Sequence, residues 1–268
     1  MEGQIIWIAS DVKWYIGTSG FSFDDWVGTA YPEYIKKTEM FTYYWQHYGF
    51  NSVELNFTFY QMPTQKVILN LLRRAPAGFK FAVKLHNSIT HGGSVENIES
   101  FLKACNILIE EEKMIGYLAQ FPYNFRKNEE NLNYIRKIIR ILGPVNIFLE
   151  FRHKSWVECP ELTQCYNNVY LVIPDLPKII GLFPLIRAKS ETVYLRLHGR
   201  NPNWFTSDEK TRYNYNYTEK ELKDIIEIVI PEKIQNAYVF FNNCYRGQAL
   251  KNALMFRNIV GGEKIGIF

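Results

Sequence analysis

The stretch VYLRLHGR, residues 193–200, begins as an alternating strand and ends in charge. A period of two places Tyr194, Arg196 and His198 on one face and Val193, Leu195 and Leu197 on the other. The apolar face suits packing against helices, so the charged face must point somewhere enclosed. Seven further runs share this pattern: WYIGTSG (14–20), SVELNFTFY (52–60), FKFAVKLH (79–86), GYLAQFP (116–122), NIFLEFRHKSW (146–156), YLVIPD (170–175) and AYVFFNN (237–243). Each starts apolar and finishes polar. Helix-like stretches separate them at 38–48, 64–74, 94–113, 128–142, 218–228 and 249–259, while those after strands one, five and six are short or indistinct. Eight strand–helix units predict an α/β protein: a single-domain TIM-like (β/α)8 barrel with a closed parallel sheet.

At 268 residues the chain is a normal size for such a barrel, and a 47% hydrophobic content is ample for its core. Residues 1–268 form one expected domain, with 1–13 as an N-terminal extension. No linker or repeat divides it. The net charge of +4 permits an anionic partner without demanding one. Cys105, Cys159, Cys165 and Cys244 form no CxxC pair, which argues against a zinc or redox motif. The sequence shows no secretory signal and no membrane-spanning run, so a cytoplasmic protein with reduced thiols is expected. Its oligomeric state is not legible.

Parity places the polar residues inside the barrel, at the carboxyl ends of the strands, where barrel active sites sit. Glu54, Asn56 and Thr58 align in strand two; Ala82, Lys84 and His86 in strand three; Gly116, Leu118 and Gln120 in strand four. Phe148, Glu150 and Arg152 align in strand five, and Leu171, Ile173 and Asp175 in strand six. The expected catalytic set is Glu54, Lys84, Glu150, Asp175 and His198. Glu54 and Glu150 suit an acid/base pair in which the more buried carboxyl has a raised pKa, and Lys84 suits a base or nucleophile if Arg196 crowds it. Their structural alternative is a paired network that fills the barrel mouth. Expected substrate contacts are Thr18, Ser19, Asn56, Tyr60, His91, Gln120, Arg152, Trp156, Arg196, Arg200, Tyr213, Asn242 and Asn243, with the arginines clamping a phosphate or carboxylate. The segment 199–217 contains Trp204, Phe205, Tyr213, Tyr215 and Tyr217 without a clear helix or strand, and reads as an aromatic loop over this face.

GTSGFSFDDWVGTAYP (17–32), VELNFTFYQMP (53–63), FKFAVKLHNSITH (79–91), LAQFP (118–122), EFRHKSW (150–156), YLRLHGR (194–200), RYNYNYTEKEL (212–222) and VFFNN (239–243) resemble the YecE-like family, also called domain of unknown function seventy-two. The resemblance implies a TIM-like barrel and brings no established reaction. Departures from the family pattern are Phe57 in place of a small residue, Gln61 in place of Arg and Tyr123 in place of a second proline. The leading expectation is an enzyme that uses acid–base chemistry on a small anionic or sugar-like substrate, with no cofactor. The alternatives are a metal-dependent phosphodiesterase or isomerase, in which Glu54, Glu150, Asp175 and His198 hold one divalent metal, and a non-catalytic nucleic-acid binder.

Overall fold

The computed structural model describes residues 12–261. Residues 1–11 of the expected extension lie outside the described residues, and Lys13 already opens the first strand. The strands are β1 (Lys13–Thr18), β2 (Ser52–Leu55), β3 (Lys80–Lys84), β4 (Met114–Gln120), β5 (Ile147–Glu150), β6 (Val169–Asp175), β7 (Thr192–Leu197) and β8 (Asn236–Phe241). They form one parallel sheet in the order β1-β8-β7-β6-β5-β4-β3-β2.

The seam between β1 and β2 carries one bridge, Ser19 to Glu54, and is closed largely by side chains. Gly20 N donates to the Glu54 carbonyl at 2.9 Å, and Ile16 N donates to Asn51 Oδ1 at 3.1 Å. The Tyr44 hydroxyl accepts from Thr18 N at 2.9 Å and donates to the Ser52 carbonyl at 3.0 Å. Gly17 makes this approach possible, because a Cβ there would lie 2.1 Å from Ser52 O.

The helices are α1 (Lys37–Tyr48), α2 (Phe57–Tyr60), α3 (Gln65–Arg74), α4 (Asn87–Thr90), α5 (Ile98–Glu110), α6 (Glu129–Leu142), α7 (Pro160–Thr163), α8 (Glu209–Arg212), α9 (Glu219–Val229) and α10 (Gln248–Gly261). The longer ones form where apolar residues recur every three or four positions. In α6, Leu132, Ile135, Ile138, Ile139 and Leu142 are buried, and the Asn128 side chain caps the start by accepting from Asn131 N. Thr218 and Glu221 close a capping box on α9.

Two expectations change, and a third, the indistinct helices after strands five and six, is met. Strand two stops at Leu55, and the run that was to continue it becomes α2. Thr58 therefore leaves the Glu54 face, and its hydroxyl lies 2.7 Å from the Leu55 carbonyl and 2.5 Å from the Lys84 carbonyl. Likewise His86 is not a strand residue: it caps α4, its Nδ1 accepting from Ser88 N at 3.2 Å. The outer ring is also incomplete. Only a 3-10 turn (Lys154–Trp156) and the one-turn α7 lie between β5 and β6, and among the described residues no helix lies between β6 and β7. A shallow cavity of about 320 Å³ opens there, lined by residues such as Tyr166, Leu171, Ile173 and Ile186.

Ala82, Ile115, Leu118, Phe148, Val172, Tyr194, Tyr238 and Phe240 fill the barrel interior, with Phe148 and Tyr194 ring centroids 4.5 Å apart. Burying such side chains contributes roughly 1.5–3 kcal/mol each. Above the plug, at the carboxyl ends of the strands, the interior becomes charged.

Candidate functional site

Arg196, fully buried on β7, organises the barrel mouth. Its Nε donates to Glu54 Oε2 at 2.9 Å and its Nη2 to Glu54 Oε1 at 2.6 Å, a two-pronged pair. Its Nη1 donates to Glu150 Oε2 at 2.6 Å, and Nη2 also reaches Ser19 Oγ at 3.2 Å. Tyr194, two residues earlier on the same face, donates its hydroxyl to Glu54 Oε2 at 2.7 Å. The other Glu150 oxygen lies 3.0 Å from Arg152 Nη2 and 3.1 Å from His198 Nε2. Neither approach has hydrogen-bond geometry, so Oε1 stays without a hydrogen bond although it is buried and close to both groups. Two carboxylates thus face two guanidiniums in a water-poor cavity, where separating them is costly.

Burial alone would raise the Glu150 pKa, but the Arg152 and Arg196 guanidiniums hold it well below the usual carboxylate range. Glu150 therefore remains a carboxylate, which removes the raised-pKa acid role expected of it. Burial and then Arg152 push His198 well below its ordinary value, so the imidazole is neutral. The Asn242 amide nitrogen sits 2.9 Å from His198 Nδ1 and Arg152 Nη2 sits 3.5 Å from it. Asn242 is the nearest donor to Nδ1, and the nearest group to Nε2 is the Glu150 carboxylate at 3.1 Å, ahead of Arg196 Nη1 at 3.5 Å, so Nδ1 accepts and Nε2 holds the proton.

Lys84 differs from its neighbours. It ends β3, is buried, and has no carboxylate within ion-pair distance among the described residues. Its Nζ stands 3.9 Å from the centre of the Phe59 ring. Burial first, and then Arg196, lower its pKa from 10.5 to about 7; Glu54 and Glu150 oppose the shift only in part. Lys84, Glu54, Asn56, Tyr60, Tyr213 and Asn242 line a cavity of about 540 Å³, larger than the one on the outer wall. Its far side is formed by Phe21, Phe23, Asp24 and Asp25 of the β1–α1 connection, and by Tyr245.

Glu54, Lys84, Glu150, His198, Arg152, Arg196, Ser19, Asn56 and Asn242 thus come together, with Tyr60 and Tyr213 on the cavity wall. His91 sits exposed at the rim, edge-on to Phe59 at 4.9 Å; desolvation, then Lys84 and Arg152, lower its pKa to about 4. Gln120 lies in register beside Glu150, its amide nitrogen donating to the Phe121 carbonyl.

Asp175 does not join them. The inward residue of β6 is Val172, so Ile173 packs on the outer core and the expected parity of this strand is reversed. Asp175 accepts from Arg200 Nε and Nη2 at 2.8–3.0 Å and from the Tyr217 hydroxyl at 2.5 Å. Asp175 and Arg200 therefore anchor the 199–217 segment. The divalent-metal ligand set loses Asp175, and Arg196 stands between its two glutamates. Among the described residues no group of three or more His, Cys, Asp or Glu side chains is arranged to hold a metal.

Three expected substrate contacts also have other partners. Thr18 donates its hydroxyl to the Gly20 carbonyl at 2.6 Å. Trp156 is fully buried, stacked on Phe151 at 4.2 Å, with its indole N–H on the Phe125 carbonyl. Asn243 holds the Tyr215 carbonyl at 2.8 Å and Asn252 Oδ1 at 2.7 Å.

The 199–217 segment folds onto the site and contains the one-turn helix α8. Gly199, at φ 87°, turns the chain out of β7, and its N–H donates to the Tyr217 hydroxyl at 2.8 Å. Trp204 lies between the guanidinium groups of Arg152 and Arg212, at 5.5 and 5.7 Å, and against Tyr213.

Tyr194 stands on the inward face that the alternation gives it but is not among the expected site residues, and neither are Phe59 and the wall from Phe21 to Asp25. Tyr194 was legible, since parity aligns it with Arg196. Phe59 meets Lys84 because the chain turns into α2 after β2, and the 21–25 wall comes from the β1–α1 connection; no strand periodicity encodes either.

The fold and this site define a single-domain parallel barrel whose strand ends enclose a paired-charge pocket. The chain belongs to the family described as "Protein of unknown function DUF72", which it matches over residues 15–266. It is 27% identical to the UPF0759 protein YunF of Bacillus subtilis (strain 168), covering 94% of this chain and 96% of that one. Among solved structures, a DUF72 family protein from Thermotoga maritima is 39% identical, with a TM-score of 0.82 over 92% of this chain and 99% of that chain. A DUF72 family protein from Enterococcus faecalis is 25% identical, with a TM-score of 0.77 over 93% and 96% of the two chains. Among the described residues no helix is long and apolar enough to cross a membrane.

Proposed function

We propose that the chain is an enzyme that performs acid–base chemistry on a small anionic or sugar-like substrate held in the 540 Å³ cavity. The observation that carries this reading is Lys84, a buried amine on the cavity wall whose pKa lies near neutrality. Proton-transfer groups work best when their pKa matches the working pH. Keeping a lysine buried beside two guanidiniums is costly, and an aliphatic side chain would fill the same space without that penalty.

In this reading Lys84 takes or gives the proton. Arg196 and Glu54 hold the cavity floor rigid, and neutral His198, fixed by Asn242 at Nδ1, turns its N–H toward Glu150. Asn56 and Asn242 supply hydrogen bonds to the substrate. Substrate charge is met by Lys84 and by Arg152, whose Nη1 is buried without a hydrogen-bond partner.

The test is calorimetric binding and turnover screening with phosphorylated sugars and sugar acids. Lys84→Met is expected to lower turnover of any hit by ~10²–10⁴-fold, the usual contribution of a general acid or base. A hit that Lys84→Met and Glu150→Gln convert as fast as the parent protein would defeat the proposal.

A further inference from the structure

We infer that Lys84 captures a carbonyl group: its ε-amine condenses with the aldehyde or ketone of an open-chain, hydroxyl-bearing compound in the main cavity. This deepens the enzymatic reading above by naming its substrate class, and it rests on that reading for the location of the pocket.

Charge balance is the first argument. Glu54 and Glu150 supply two negative charges, and Arg196 and Arg152 pair with them. His198 is neutral. The cluster is therefore balanced without a proton on Lys84, and no carboxylate among the described residues lies within ion-pair range of Nζ. An amine that is not needed as a counter-charge keeps its lone pair available. Its lowered pKa agrees with this.

Position is the second argument. The amine of Lys84 rests on the face of Phe59 while the residue lines the cavity, so the apolar ring covers one side and the cavity offers the other. The third argument names the ligand. Asn56 Oδ1 is buried with no hydrogen-bond partner among the described residues, while its amide nitrogen is directed at the Ser19 carbonyl and Asn242 Oδ1, at 3.3 and 3.4 Å. A buried acceptor left open calls for a donor, and a hydroxyl on the carbonyl compound supplies one.

The step balances without a cofactor. The Nζ lone pair attacks the carbonyl carbon, a C–N bond forms, and one proton passes from nitrogen to oxygen. The C–O bond then breaks, and the oxygen leaves as water with a second proton from nitrogen. Amine plus carbonyl give imine plus water, with no change in oxidation state. The neutral imine carries no more charge than the free amine it replaces, so the balance between Glu54, Glu150, Arg196 and Arg152 is unchanged.

The experiment uses the full chain, D-glyceraldehyde as the probe and sodium borohydride to reduce any imine, followed by peptide mapping at neutral pH. The reduced adduct is expected on Lys84 at least about tenfold faster than on the exposed Lys36 or Lys66, because an ordinary lysine holds well under about one free amine in a thousand there. Adducts on Lys36 and Lys66 with Lys84 unmodified, or modified no faster than they are, would overturn the inference. Mapping is done on the unaltered protein, so it does not depend on a variant folding. Asn56→Ala is expected to remove any preference for glyceraldehyde over acetaldehyde, which lacks hydroxyls; an unchanged preference would overturn the hydroxyl assignment. The two readings separate cleanly. Turnover of a phosphorylated sugar without label on Lys84 keeps the acid–base reading and ends this one. Label on Lys84 with no binding or turnover of any screened compound does the reverse.

Discussion

Replacing Lys84 by methionine should stabilise the protein in acid and lose that advantage as pH rises. The native pKa is about 7 against an ordinary 10.5, so the folded state disfavours the ammonium. Below the native pKa both folded and unfolded chains carry the proton, and the full cost is present. The difference of 3.5 units corresponds to an order of 5 kcal/mol at about 1.4 kcal/mol per unit. Above pH 7 the folded protein sheds the proton while the unfolded chain keeps it, so stability climbs until the unfolded lysine titrates near 10.5. Over the first unit and a half of that window the gain is roughly 2 kcal/mol. Methionine has similar length and no charge, so the variant lacks this slope. Urea denaturation of both proteins between about pH 6 and pH 8.5 is the assay, and the difference between them isolates Lys84 from other titrating groups. Lys84→Met should be the more stable protein at pH 6, with the gap narrowing steadily toward pH 8.5. A gap that stays flat, or widens with pH, would refute the claim that a buried amine is held near neutrality.

Further outcomes follow from individual contacts. Arg196→Met leaves Glu54 and Glu150 buried without their shared cation, and denaturant titration should show a loss of ~3–5 kcal/mol. Tyr217→Phe leaves Asp175 and the Gly199 N–H each short of one partner; a cost of ~1–3 kcal/mol and faster hydrogen exchange in residues 199–217 are expected. Gly17→Ala forces a methyl against the Ser52 carbonyl at the β1–β2 seam and should lower the unfolding midpoint by at least the ~1–3 kcal/mol of an overpacked core. If any hit is converted with Lys84 as base, its kcat/KM should rise through about pH 7, where the free amine appears.

Much of this protein was legible before its coordinates. Runs that start apolar and end polar, separated by helix-like stretches, specify strands whose carboxyl ends meet, and β7 shows why parity works there: Tyr194, Arg196 and His198 all point inward because the strand stays regular to Leu197. Parity failed where regularity failed. Strand two ends early, so Thr58 turns away, and β6 presents Val172 inward, so Asp175 faces the loop.

Sequence alone determined the barrel, the face that carries the site and the residue types gathered there, because alternation, helical spacing and turn chemistry are local properties of the chain. Only the tertiary structure decided which charges meet. Arg196 takes both Glu54 and Glu150, Asp175 goes to Arg200 and Tyr217, and among the described residues no carboxylate lies within ion-pair range of Lys84. Those pairings depend on distances across the barrel and on burial, which couple residues far apart in sequence and leave no periodic trace in it.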